Sequence, residues 1–211
     1  MTIIHKSFPV GPLQCNCTIL SNTETGKGYL IDPGGDPELI MQTLEEIKIE
    51  LEGIYHTHAH FDHFLASADI KEKTGAPIYL HDDDRFLWDS LEMQCSYFNI
   101  EFKTTPPPDF KIEDEQDLVH CDGVCLHTPG HTPGSVSFHF DSADLLVAGD
   151  TLFNGSVGRT DLPGGDFKKL KSSIQNKIYT LDESTTVITG HGPETSIKKE
   201  MTNNMVIRYN S

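Results

Sequence analysis

Along the chain the apolar positions change period more than once. Residues 2–8, 18–21 and 28–31 alternate apolar with polar side chains, the two-residue period of half-buried strands, punctuated by Gly26 and by the turn Asp32-Pro33-Gly34-Gly35. Helical spacing then takes over. Leu39, Ile40, Thr43, Leu44 and Ile47 fall on one face, behind Asp36 as a cap and Pro37 in the first turn. A strand ending near His56 follows, and then a helix over residues 64–74, closed by Gly75 and blocked from continuing by Pro77. A short strand at 78–80 and a helix over 82–95 complete the first half.

Residues 104–117 are polar and carry Pro106-Pro107-Pro108, which predicts a loop crossing between two halves, since either half alone would make too small a core. Beyond it lie strands at 124–127, 135–140 and 145–148. A helix then shows Phe167, Leu170, Ile174, Ile178 and Leu181 on one face, and a strand runs over 186–189. Strands precede helices in both halves. The pattern predicts two sheets packed face to face with helices outside, an α/β sandwich of duplicated layout in one domain spanning 1–211.

Composition narrows the partners. With 16 Lys and Arg against 32 Asp and Glu, the net charge of −16 argues against nucleic-acid phosphate and anionic membrane surfaces. No apolar run reaches membrane-spanning length, and the first residues show no basic stretch leading into an apolar one, so a cytoplasmic protein is expected. Cys15, Cys17, Cys95, Cys121 and Cys125 match no disulfide framework and are expected as free thiols, with Cys121 and Cys125 buried and not half of a zinc site.

Eleven histidines pose the chemical question. The strongest signal is His58-Ala59-His60-Phe61-Asp62-His63 where a strand gives way to a helix. This composition would produce such a motif by chance only about 0.002 times per chain. Extended backbone puts His58 and His60 on the same side, and Asp62 and His63 follow on the turn. Four donors of mixed nitrogen and oxygen type suit two borderline cations better than one. His131 in Pro129-Gly130-His131-Thr132-Pro133-Gly134, Asp150 in Gly149-Asp150-Thr151 and His191 in Gly190-His191-Gly192-Pro193 each follow an expected strand beside glycine, which lets a strand-end ligand turn into a shared cleft.

These motifs, in this order, resemble the metallo-β-lactamase superfamily, and Gly149-Asp150-Thr151-Leu152-Phe153 with Gly158-Arg159-Thr160-Asp161 resembles its glyoxalase II-like (hydroxyacylglutathione hydrolase-like) branch. The resemblance implies a four-layer αββα sandwich and two divalent metal ions, zinc first, with iron or manganese as alternatives. It assigns His58, His60 and His131 to one ion and Asp62, His63 and His191 to the other, with Asp150 bridging. It further implies hydrolysis of a small-molecule thioester such as S-lactoylglutathione by a metal-bridging hydroxide, with Asp62 and Asp150 catalytic and Arg159 against the substrate's carboxylate. An ion pair with Asp161 is the rival role for Arg159.

Residues 192–211 leave no room for the helical carboxy-terminal segment of longer glyoxalase II enzymes, so the chain resembles their short relatives, and the tyrosine that the family places shortly after the counterpart of Arg159 is absent, with Asp161 near its position. A mononuclear iron persulfide dioxygenase using His58, His131 and Asp150 is the alternative on the same scaffold. Elsewhere, His56 is expected to pack behind the motif, while His5, His81, His120, His127 and His139 need no function. Asp82-Asp83-Asp84 reads as a helix N-terminus, and Phe86, Trp88 and Phe98 as core.

Overall fold

The structure is a computed structural model and describes residues 2–209. The first sheet is β1 (Ile3–Val10), β2 (Cys15–Asn22), β3 (Lys27–Ile31), β4 (Glu50–Tyr55), β5 (Ile78–Leu80) and β6 (Phe110–Lys111), in that spatial order. Its first three strands pair antiparallel and the rest parallel. The second half adds β7 (Asp117–Leu118), β8 (Gly123–His127), β9 (Val136–Phe140), β10 (Leu145–Gly149), a separate hairpin of β11 (Leu152–Phe153) and β12 (Ser156–Val157), then β13 (Thr186–Thr189) and β14 (Thr195–Ser196). The second sheet runs β14-β13-β10-β9-β8-β7, with β10 and β13 parallel.

Helices α1 (Pro37–Ile47), α2 (Ser67–Thr74), α3 (Arg85–Trp88) and α4 (Leu91–Phe98) belong to the first half, α5 (Phe167–Asn176) and α6 (Ile197–Asn203) to the second. Three apolar layers follow from this stacking. Leu20, Tyr29, Ile31 and Tyr55 of the first sheet meet Phe138, Phe140 and Val147 of the second. Ile40, Ile70 and Trp88 close the outer face of the first sheet, and Leu170, Ile174 and Ile197 that of the second. The result is the αββα sandwich that the periodicity and the resemblance predict.

Several elements differ from the sequence reading for physical reasons. Asp36 does not cap α1: its φ is +49° and its Oδ2 accepts the Gly11 N–H at 2.8 Å, tying the β1–β2 turn to the helix start. Leu39 lies at the helix edge, 44% exposed. The helix expected over 64–74 begins only at Ser67, because a 3-10 turn at Phe61–His63 precedes it. That expected over 82–95 is split into a 3-10 turn at Asp82–Asp84, α3 and α4; the Ser90 hydroxyl bonds the Leu87 carbonyl at the break. Strand β2 is longer than expected because it is covered on both faces, which erases alternation. Trp88 is core, stacked on Phe64 at 4.1 Å, whereas Phe86 and Phe98 are exposed. No helix among the described residues is long and apolar enough to cross a membrane.

Candidate metal centre

The seven motif residues meet at one end of the sandwich, on the loops that follow β4, β8, β10 and β13. His60 keeps extended backbone ahead of the 3-10 turn, so His58 and His60 point the same way while the turn carries Asp62 and His63 round to an adjacent point. His60 Nδ1 lies 3.1 Å from His58 Nε2 and 2.9 Å from His131 Nε2. Beside this group, Asp62 Oδ2 lies 3.1 Å from His191 Nε2 and 3.7 Å from His63 Nε2. Asp150 stands between the two. Its Oδ2 is 3.5 Å from His131 Nε2, and its Oδ1 is 3.5 Å from His63 Nε2 and 3.8 Å from His191 Nε2.

The outer hydrogen bonds fix which imidazole nitrogen faces inward. His131 Nδ1–H donates to the Arg159 carbonyl at 2.7 Å and His191 Nδ1–H to the Leu13 carbonyl at 2.9 Å. His63 Nδ1–H donates to Asp32 Oδ2 at 2.9 Å, and His58 Nδ1 lies 3.1 Å from the Thr57 hydroxyl, which itself donates to Asp32 at 2.6 Å. In each case Nε2 turns inward with its lone pair, the arrangement a metal requires. Asp32, which the sequence shows only as part of a turn, is therefore the carboxylate behind both groups; it also accepts the Thr57 N–H at 2.8 Å.

A cation fits these donors. Two nitrogens bound at ~2.05 Å around a tetrahedral ion sit about 3.3 Å apart. The separations above bracket that value. Moreover, His63 Nε2 and Asp150 Oδ1, both buried, have no hydrogen-bond partner. Buried polar atoms without partners are costly, and a cation between them satisfies both.

Electrostatics agree with that assignment. Burial and then the neighbouring imidazoles keep His58 well below its ordinary pKa and bring His60 to about 3, so both are neutral donors. Burial would raise the Asp150 carboxyl, but the imidazoles of His63, His131 and His191 around it hold it far below the carboxylate range.

Other residues brace the loops. Asp84 is fully buried and accepts from Ala59 N at 3.0 Å, Thr132 Oγ1 at 2.7 Å and Gly134 N at 2.6 Å, pinning the first motif to the His131 turn. It is a cross-link, not a helix-dipole carboxylate, although Asp82 and Asp83 do open the 3-10 turn. A Cβ on Gly134 would lie 2.7 Å from this carboxylate. Asn16 of β2 reaches across to the His191 loop, its N–H to Gly190 O at 2.8 Å and its amide to Thr189 O and Gly192 O. Sequence spacing carries no signal for Asp84 or Asn16, because their partners are mostly main-chain atoms on loops remote in sequence.

The remaining expectations fall outside the ligand cluster. The exposed Arg159 guanidinium makes a two-pronged ion pair with Asp161, both contacts 2.7 Å, while its carbonyl orients His131. His56 is core, donating to Tyr79 O and accepting from the Ser67 hydroxyl, and burial lowers it to about 4. All five cysteines are free and buried. Burial pushes Cys15, 3.4 Å from His63 Nδ1, up to about 12, as it does Cys121 and Cys125. His81 and His127 stack face to face at 4.2 Å and form with Asp83 a further, more exposed donor group apart from the seven.

Residues 10–191 match the family model described as the metallo-beta-lactamase superfamily. The chain is 41% identical to "Probable metallo-hydrolase YqgX" of Bacillus subtilis, covering 94% of this chain and 95% of that one. It is 35% identical to "Hydroxyacylglutathione hydrolase GloC" of Haemophilus influenzae, covering 97% and 98%. Among solved structures, a B3 metallo-beta-lactamase, BLEG-1, superposes with TM-score 0.89 at 37% identity, covering 96% of this chain and 98% of that one. TTHA1623 in a di-iron-bound form gives 0.89 at 35%, covering 96% and 100%.

Proposed function

The chain belongs to the metallo-beta-lactamase superfamily, and from that premise we propose that it is a binuclear metal-dependent hydrolase of small thioesters, with S-lactoylglutathione as the type substrate. The observation that carries the reading is the Asp150 carboxylate, which turns one oxygen toward each ligand group. His58, His60 and His131 would hold one ion, and Asp62, His63 and His191 the other. Bound there, the two divalent ions supply a water of lowered pKa as nucleophile and polarise the thioester carbonyl. Zinc suits the mixed nitrogen and oxygen donors, and the di-iron-bound neighbour supports iron as the alternative.

The chain's own residues do the positioning. Asp62 and Asp150 bring two negative charges against the cations, and Asp32 keeps the imidazoles of His58 and His63 turned inward. Arg159 starts from the residue whose carbonyl fixes His131, so its guanidinium is one side chain from the reacting centre. An exposed ion pair contributes only about 0–1 kcal/mol, so a substrate carboxylate can displace Asp161 from it at little cost. The thioester reading is supported by a relative of the same span named as a hydroxyacylglutathione hydrolase. The net charge of −16 supports a small-molecule substrate over nucleic acid or an anionic membrane.

Two other reactions share the scaffold. The second donor group, Asp62, His63 and His191, favours two ions over the mononuclear site of a persulfide dioxygenase. Opening of a β-lactam ring is the second reading, favoured by the 37% identical lactamase structure. Three assays on the metal-loaded protein separate them: thiol release from S-lactoylglutathione, ring opening of a cephalosporin, and oxygen uptake with glutathione persulfide. Thiol release is expected to dominate, and Arg159→Ala should raise its KM about 3- to 10-fold with kcat little changed. Oxygen uptake without thioester cleavage, or faster cephalosporin turnover, overturns the proposal.

A further inference from the structure

Four of the five inward-facing histidines are oriented through their outer nitrogen, by Thr57, Asp32, Arg159 O and Leu13 O. His60 is built differently. Its Nδ1 is the inward atom, and among the described residues no hydrogen bond holds its Nε2. With no outer partner to aim it, the place of that imidazole depends on the main chain that carries it.

The main chain on both sides of His60 is fixed by one side chain. Gln94 of α4 accepts the Phe61 N–H on its Oε1 at 3.0 Å and donates from Nε2 to the Ala59 carbonyl at 3.2 Å. The same Nε2 donates to the Leu87 carbonyl at 2.8 Å, which aims the amide from the end of α3. The Ala59 N–H is taken by Asp84. Gln94 thus brackets His60 with an acceptor on one side and a donor on the other, both supplied by one carboxamide. Phe98, one turn further along α4, lies against Phe61 at 5.1 Å between ring centres and seats the helix on the same loop.

We propose that Gln94 is the positioning residue for His60, and through it sets the three-histidine group. It touches no reacting atom. Its effect falls mainly on that group, because the imidazoles of His63 and His191 have outer partners of their own in Asp32 and the Leu13 carbonyl.

The inference rests on the two-ion reading of the site but not on the thioester, so it is tested by metal binding. Metal-free wild type, Gln94→Met and Gln94→Glu are titrated with cobalt(II) against a competing chelator, following the visible absorption of each bound equivalent. Gln94→Met, similar in volume and unable to bridge the loop, is expected to weaken one equivalent about 10-fold or more and leave the other unchanged. Gln94→Glu keeps the acceptor for Phe61 N–H and loses the donors, so it should fall between the two. Equal weakening of both equivalents, the signature of a merely structural role, or no weakening at all, overturns the proposal. If Gln94→Met does not fold, Gln94→Glu decides by the same criterion. A wild type that binds a single equivalent contradicts the two-ion reading instead.

Discussion

The two halves of the molecule build their shares of the site in different ways. The first sheet delivers His58, His60, Asp62 and His63 from one six-residue stretch after β4, and holds them with side chains reaching in from elsewhere: Asp32, Asp84 and Gln94. The second sheet delivers one residue from each of three loops, His131, Asp150 and His191, and holds the histidines with main-chain carbonyls of Arg159 and Leu13. A run of donors so dense that its members cannot each find a local partner needs imported carboxylates and amides. Single donors at strand ends need instead a backbone that approaches closely enough, and glycine provides it. At Gly190 a Cβ would lie 2.0 Å from Asp150 Oδ1.

The largest effect is expected on the first side. Asp32→Ala leaves the Thr57 N–H and the His63 Nδ1–H buried without acceptors, at about 1–3 kcal/mol each. Chemical denaturation should show a loss of about 3 kcal/mol, and metal affinity should fall about 10–100-fold at both ligand groups, since Asp32 stands behind His58 as well as His63. Weakening confined to one group would break the picture of Asp32 as their common support. On the other side, Gly190→Ala should push Asp150 aside. A displacement of about 1 Å at such a site costs about 10²-fold in rate, and the overpacking should lower stability by about 1–3 kcal/mol. Unchanged turnover in Gly190→Ala would show that close backbone approach is not what places Asp150.

The same contrast explains what could be read from the sequence. His58, His60, Asp62 and His63 are legible because they are contiguous and because extended backbone makes residues two apart share a side. His131, Asp150 and His191 are legible because each sits beside glycine after a strand. The structure brings all seven together. Asp32, Asp84, Asn16 and Gln94 are not legible, because each acts through a hydrogen bond to main chain or to an imidazole remote in sequence. Asp84 is further masked by the neighbouring acids Asp82 and Asp83, and Asp32 by the turn it occupies. The layered fold follows from alternating strands and amphipathic helices, whereas the breaks at Phe61–His63 and at Ser90 depend on loop geometry that periodicity does not encode.

The central claim is that Asp150 joins two ligand groups into one binuclear centre. Calorimetric titration of metal-free protein with zinc, carried out on wild type and Asp150→Ala, tests it most directly. Two equivalents are expected for wild type, with Asp150→Ala losing one or binding both at least about 10-fold more weakly. A single equivalent in wild type, or two equivalents of unchanged affinity in Asp150→Ala, would contradict it.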